Sequence, residues 1–163
     1  MITRELKTVI QEYTSVEELN SEDQKLIKSA ENAIISAYAP YSKFKVGASV
    51  LLMNGEVFSG SNQENAAYPS GLCAERVALF YANSKYPNIS VKSIAVCAKN
   101  SDGLLEQPVP PCGSCRQVIL ESEIRFKNEI KIILVGTKLI QVIENSKQLL
   151  PLHFDDKNLK VKG

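Results

Sequence analysis

Val46-Gly47-Ala48-Ser49-Val50-Leu51-Leu52-Met53-Asn54-Gly55-Glu56-Val57-Phe58-Ser59-Gly60-Ser61 is the stretch on which the fold turns. Residues 46–52 read as a strand, Asn54-Gly55 is the strongest short hairpin signal, and 57–61 reads as the return strand. Upstream, Ser21 and Gln24 resemble a capping box. Ile27, Ala30, Ile34 and Ala37 then recur at helical spacing until Pro40, which predicts a helix over 22–38. Downstream the pattern is helical over 73–82, apolar and strand-like over 91–98, and loop-like over 99–111, with Gly103, Pro108, Pro110 and Pro111. A helix over 112–121 and strands over 130–135 and 139–143 complete it. Alternation of strands and helices after a hairpin predicts an α/β fold in three layers, α/β/α, around a mixed five-stranded sheet.

The 163 residues fit one domain, with 1–20 an N-terminal extension that has room for one edge strand and is given no role. Hydrophobic residues at 44% and charged residues at 23% are ordinary for a globular chain. A net charge of +1 supplies no global field to recruit nucleic acid or an acidic membrane, so neither is expected as a partner. Met1–Lys7 mixes charges without an apolar core, so it does not read as a signal peptide, and no apolar stretch reaches the length of a membrane span. The expected location is therefore the cytoplasm, where the 4 cysteines are ligands, nucleophiles or core residues more often than disulfides.

Cys112-Gly113-Ser114-Cys115 opens a helix directly after the Pro-rich loop, and Cys73 opens another. Unpaired N–H groups in a first helical turn favour thiolates, and the C-x-x-C spacing lets two sulfurs share a target. Three thiolates can bind one Zn²⁺ and leave a fourth position open, the mark of a catalytic rather than a structural site. Glu75, two residues after Cys73, can reach that open position without being a ligand. Cys-x-Glu with Pro-Cys-x-x-Cys matches the signature of zinc deaminases, with Cys as the first ligand. Each part has a plainer reading. The C-x-x-C could be a redox pair, Cys97 lies mid-strand and suits packing, His153 lies far along the chain, and Glu75 alone would be a favourable charge near a helix start.

Further segments carry a family resemblance. Tyr41-Ser42-Lys43-Phe44-Lys45-Val46-Gly47-Ala48, Asn62-Gln63-Glu64-Asn65-Ala66-Ala67-Tyr68, Cys73-Ala74-Glu75-Arg76, Pro111-Cys112-Gly113-Ser114-Cys115-Arg116-Gln117 and Leu149-Leu150-Pro151-Leu152-His153-Phe154 occur in this order. Together they resemble the cytidine deaminase family, in its small homotetrameric branch acting on free nucleosides. The resemblance implies a hydrolase acting on the C–N bond of a cyclic amidine. It would convert cytidine and 2′-deoxycytidine to uridine and 2′-deoxyuridine with release of ammonia, in pyrimidine salvage. It implies one Zn²⁺ per subunit on Cys73, Cys112 and Cys115, and Glu75 as proton carrier. Phe44 would lie against the pyrimidine and Asn62 and Glu64 at the ribose hydroxyls, with Ala74 also at the substrate. Tyr68 and Phe154 would reach a neighbouring subunit's site, and Arg76 would hydrogen-bond the ligand sulfurs and temper the charge of −1 on zinc with three thiolates. Deaminases of the nucleoside antibiotic blasticidin S share the Cys-x-Glu arrangement and remain an alternative. RNA and DNA deaminases usually carry His as first ligand and need a basic channel.

Overall fold

A computed structural model describes residues 1–159. In chain order the elements are β1 (Gln11–Tyr13), α1 (Ser21–Ala33), β2 (Lys45–Leu52), β3 (Val57–Ser61), α2 (Ala74–Lys85), β4 (Val91–Asn100), β5 (Gly103–Leu104), α3 (Gly113–Phe126), β6 (Lys131–Val135) and β7 (Ile140–Ile143). The sheet runs β1-β7-β6-β4-β2-β3, with β5 paired to β4 off this path. β4 and β6 are parallel, Ser93 opposite Lys131 through Cys97 opposite Val135, and the other pairings are antiparallel, so the sheet is mixed as predicted.

Among the described residues the sheet has seven strands rather than five. The five expected ones are β2, β3, β4, β6 and β7. β1 is the edge strand for which the extension had room, pairing Gln11 with Val142 and Tyr13 with Ile140. β5 is two residues that fold back on the end of β4, too short to carry any alternation of its own.

Alternation along the strands builds two cores. Ile94, Val96, Ile132 and Leu134 face one side and pack with Ala78, Leu79 and Ala82 of α2 and Ile119 of α3. Ala95, Cys97, Ile133 and Val135 face the other side and pack with Leu26, Ile27 and Ala30 of α1. The helices therefore flank the sheet in three layers. Two glycines set how closely they approach. A Cβ on Gly47 would collide with the Ala30 carbonyl oxygen of α1, and one on Gly60 would lie 2.6 Å from Ala78 N of α2.

The helix boundaries differ from expectation for tertiary reasons. Asn20, not Ser21, caps α1: its Oδ1 accepts from Glu22 N at 3.1 Å and Asp23 N at 2.9 Å. Gln24 Nε2 donates instead to Leu19 O at 2.8 Å. α1 ends at Ala33 and a 3₁₀ turn follows over Ile34–Ser36, short of residue 38. Tyr38 is needed in an extended conformation, where its N–H donates to Asn62 O (3.0 Å) and its carbonyl accepts from Glu64 N (2.9 Å). α2 and α3 run past residues 82 and 121 to Lys85 and Phe126, and α3 stops at Lys127 in the left-handed conformation, φ 52°. Among the described residues no helix is long and apolar enough to cross a membrane.

Candidate active site

Cys73 is the N-cap residue of α2 and Cys112 that of α3, and neither side chain caps its own helix by a hydrogen bond. Cys115 lies in the first turn of α3. The three sulfurs all lie within 4.8 Å of one another, with Cys73 Sγ and Cys112 Sγ 3.8 Å apart. Zn–S bonds of about 2.3 Å at the tetrahedral angle require sulfurs about 3.8 Å apart, so the set fits a zinc ion. Among the described residues these three alone make such a cluster, which leaves one tetrahedral position to a small ligand. Cys97 stands apart, packed on the α1 face with Sγ 3.8 Å from Gly47 O and its thiol pushed up to about 12 by burial. His153 Nδ1 lies 3.1 Å from Leu150 O, away from the sulfurs.

The electrostatics suit a cation. A hydrogen bond from the Cys115 thiol, aided by Arg76, holds Cys73 down to about 5, whereas the same contact and burial push Cys115 up. One sulfur of the cluster ionises readily on its own, and a dication lets all three do so. Arg76 Nη2 donates to Cys73 Sγ at 3.8 Å, and its buried Nε has no hydrogen-bond partner among the described residues. Glu75 is 5% exposed; burial, reinforced by the charge on Cys73, raises its carboxyl above the ordinary range.

A cavity of about 740 Å³ opens over this end of the helices. Cys73, Cys112, Glu75 and Arg76 line it, with apolar walls from Phe44, Val46, Val96, Val109 and Pro110 and polar groups from Asn62, Gln63 and Glu64. Tyr41 and Tyr68 also line it, edge to face with ring centroids 6.3 Å apart. Asn62 fixes the entry to β2, its Oδ1 accepting from Val46 N at 2.8 Å and its Nδ2 donating to Phe44 O at 2.9 Å. The Glu64 carboxylate accepts from Tyr41 N (2.9 Å), Ser42 N (3.3 Å) and the Ser42 hydroxyl, which holds its pKa below the usual range. These bonds brace a turn in which Lys43 is left-handed, φ 60°, directly before Phe44.

Phe44, Asn62, Glu64 and Tyr68, expected at the substrate, thus share one cavity with Glu75 and Arg76. Ala74 is fully buried in the core and is not among the residues lining the cavity. Phe154 does not line the cavity; it is exposed, and its carbonyl accepts from Gln117 Nε2 at 2.9 Å. Sequence reasoning did not single out Tyr41, Ser42, Val109 or Pro110. Their signal was adjacency: the first two precede Phe44 and the last two precede Cys112.

Comparison with known proteins agrees with this geometry. Residues 20–127 match the family described as the cytidine and deoxycytidylate deaminase zinc-binding region. Cytidine deaminase of Halalkalibacterium halodurans is 50% identical over 98 residues, 60% of this chain and 70% of that one. Probable cytidine deaminase of Dictyostelium discoideum is 32% identical over 146 residues, 89% and 92% of the two chains. The crystal structure of cytidine deaminase from Burkholderia pseudomallei superposes with a TM-score of 0.69 at 38% identity, covering 80% of this chain and 97% of that one. A three-sulfur centre at two helix starts, a buried glutamate beside it and a match across 20–127 have one common account: this chain belongs to the cytidine and deoxycytidylate deaminase family and carries its zinc-binding region.

Proposed function

We propose that the chain is a cytidine deaminase, hydrolysing cytidine and 2′-deoxycytidine to uridine and 2′-deoxyuridine with release of ammonia. The observation that carries this reading is the shared cavity, in which buried Glu75 and two sulfurs of the cluster meet the Phe44 ring and the Glu64 carboxylate. Zinc on Cys73, Cys112 and Cys115 supplies Lewis-acid activation of the water that hydrolysis consumes. Glu75 takes a proton from that water and delivers it to N3 of the base as the water oxygen bonds to C4, then carries the remaining hydroxyl proton to the amino group, which leaves as ammonia when the C4–N bond breaks, so that it serves as base and then acid. Burial of Glu75 suits this double role, because a carboxyl raised above its ordinary range takes up a proton more readily than an exposed one and still gives it back.

Phe44 offers a flat apolar face to the pyrimidine. Glu64, held ionised by its donors, and Asn62 offer acceptors to the ribose hydroxyls, and Ala74 stands between Cys73 and Glu75 at the start of α2. Among the described residues lining the cavity, Arg76 is the one cation, and it is committed to Cys73.

The reading extends to assembly and setting. Tyr68, 75% exposed, with Leu72, Phe80, Tyr81 and Phe154, leaves apolar surface that further copies would cover in a homotetramer, with Tyr68 and Phe154 reaching a neighbour's cavity. Four free thiols suit the cytoplasm, and the product suits pyrimidine salvage. The test is ammonia release from cytidine, deoxycytidine, deoxycytidylate and blasticidin S, with zinc measured on the same sample. Preference for deoxycytidylate or blasticidin S, or zinc without turnover, would overturn the reading.

A further inference from the structure

The segment that delivers Cys112 to the metal centre has little to hold it. Gln107–Pro111 contains Pro108, Pro110 and Pro111, none with an N–H to donate. The chain just before it is anchored, Thr137 N donating to Leu105 O at 2.9 Å and Lys138 N to Glu106 O at 3.0 Å. Beyond Glu106 the hydrogen bond on this segment, among the described residues, is the one that Arg116 Nε donates to Pro111 O at 2.8 Å. Pro111 is buried, so its carbonyl needs that partner. Nη1 of the same guanidinium donates to Leu149 O at 2.8 Å, so one planar fork ties the loop to the end of the 3₁₀ turn at Ser146–Gln148.

Two observations give this clamp a purpose beyond stability. Cys112 is exposed whereas Cys115 is buried, so packing alone does not define where the Cys112 sulfur lies. Arg116 also sits near the positive end of the α3 dipole, where a cation is disfavoured. Its two bonds to carbonyls offset that cost.

We propose that Arg116 is a positioning residue for the metal centre: by holding Pro111 O it fixes Cys112 at the spacing that zinc requires and seats Val109 and Pro110 against the substrate. This rests on the zinc reading of the site. The test compares Arg116→Gln and Arg116→Lys in the zinc-loaded full chain. The control is Arg125→Gln, which removes a similar bond on the same helix far from the sulfurs, Arg125 Nη2 to Pro87 O at 2.7 Å. Three readouts are taken: zinc release to a chromogenic chelator, the thiolate-to-metal absorption of the cobalt-substituted protein, and the thermal midpoint. Arg116→Gln should release zinc at least about tenfold faster and alter the cobalt band, the scale seen when groups supporting metal ligands are removed. Arg116→Lys, with donors that can replace one bond, should fall between, and it carries the test if the Gln variant does not fold. Arg125→Gln should match the wild type in zinc release and in the cobalt band. Wild-type release and spectrum in both Arg116 variants would overturn the proposal, as would equal acceleration by Arg125→Gln, which would reduce the effect to general stability. A wild-type chain that binds no zinc would instead overturn the zinc reading, and the proposal with it.

Discussion

Glu75→Gln separates proton transfer from everything else the site does. The side chains are nearly equal in volume, and position 75 is 5% exposed, so packing against the start of α2 should survive. A general acid–base is worth typically about 10²–10⁴-fold, which is about 2.7–5.4 kcal/mol of barrier. Glu75 is asked to move two protons, so the upper end of that range is expected. The loss should fall on kcat with KM little changed, because proton transfer is realised only in the transition state. Stability should move the opposite way. A carboxyl whose folded pKa is raised keeps its contribution below its ordinary pKa and loses it as pH rises through the raised value. Gln has no such loss. Zinc-stripped Glu75→Gln should therefore melt above the wild type at neutral pH, with the gap closing as pH falls below the ordinary carboxylate range. The assay is the ultraviolet change on cytidine conversion, with zinc per chain measured alongside and melts taken at acidic and neutral pH. Full zinc with turnover within about tenfold of wild type would refute Glu75 as the proton carrier. A lower neutral melt would refute the burial argument.

Cys112→Ser should lower bound zinc well below one per chain, and chelation of the wild type should lower its melting temperature, both followed by metal analysis and calorimetry. Gly60→Ala places a Cβ 2.6 Å from Ala78 N and 2.9 Å from Val77 Cβ. A strained insertion of this kind costs about 1–3 kcal/mol, or about 2–12 °C at this chain length. Because α2 must shift with Cys73 and Glu75 at its start, turnover should fall as well. Glu123→Ala removes a buried carboxylate that accepts from Ile130 N (2.9 Å), Ser146 N (2.8 Å) and Ser146 Oγ (2.5 Å). Orphaning these donors should cost about 3 kcal/mol, read as a lower urea midpoint at unchanged slope.

What could be read from the sequence and what could not divide along a physical line. Alternation and turn chemistry act locally, so β2, β3, β4, β6 and β7 were visible, as was the Asn54-Gly55 hairpin. The cap of α1 was misplaced by one residue because Asn20 and Ser21 are both good caps. The choice between them is tied to Asp23, which accepts from Asn20 Nδ2 (2.7 Å) and pairs with Lys131 in β6 (2.6 Å), a partner 108 residues away. The end of α1 was overrun because Tyr38 answers to Asn62 and Glu64 rather than to the helix behind it. In the site, ligand-type and carboxylate residues announced themselves by spacing. Val109 and Pro110 did not, since an apolar wall has no signature until the loop is folded over the cavity. Asn62 and Glu64 were read as substrate-facing, and their work in bracing Phe44, Tyr41 and Ser42 needed coordinates to be seen.

The short strand β1 also governs how the chain behaves among copies of itself. Without it, Ile140–Ile143 would end the sheet with a row of unpaired N–H and C=O groups on an apolar strand, a template for edge-to-edge aggregation. Gln11–Tyr13 covers that row and turns out a brief polar rim, Gln11 and Glu12, that templates poorly. Gln141 Nε2 fastens the rim to Glu12 at 2.8 Å, and Thr8 Oγ1 and Val9 N continue the strap onto Gln148 at 2.9 and 2.6 Å. Trimming the first thirteen residues would strip this cover and expose β7 to self-association.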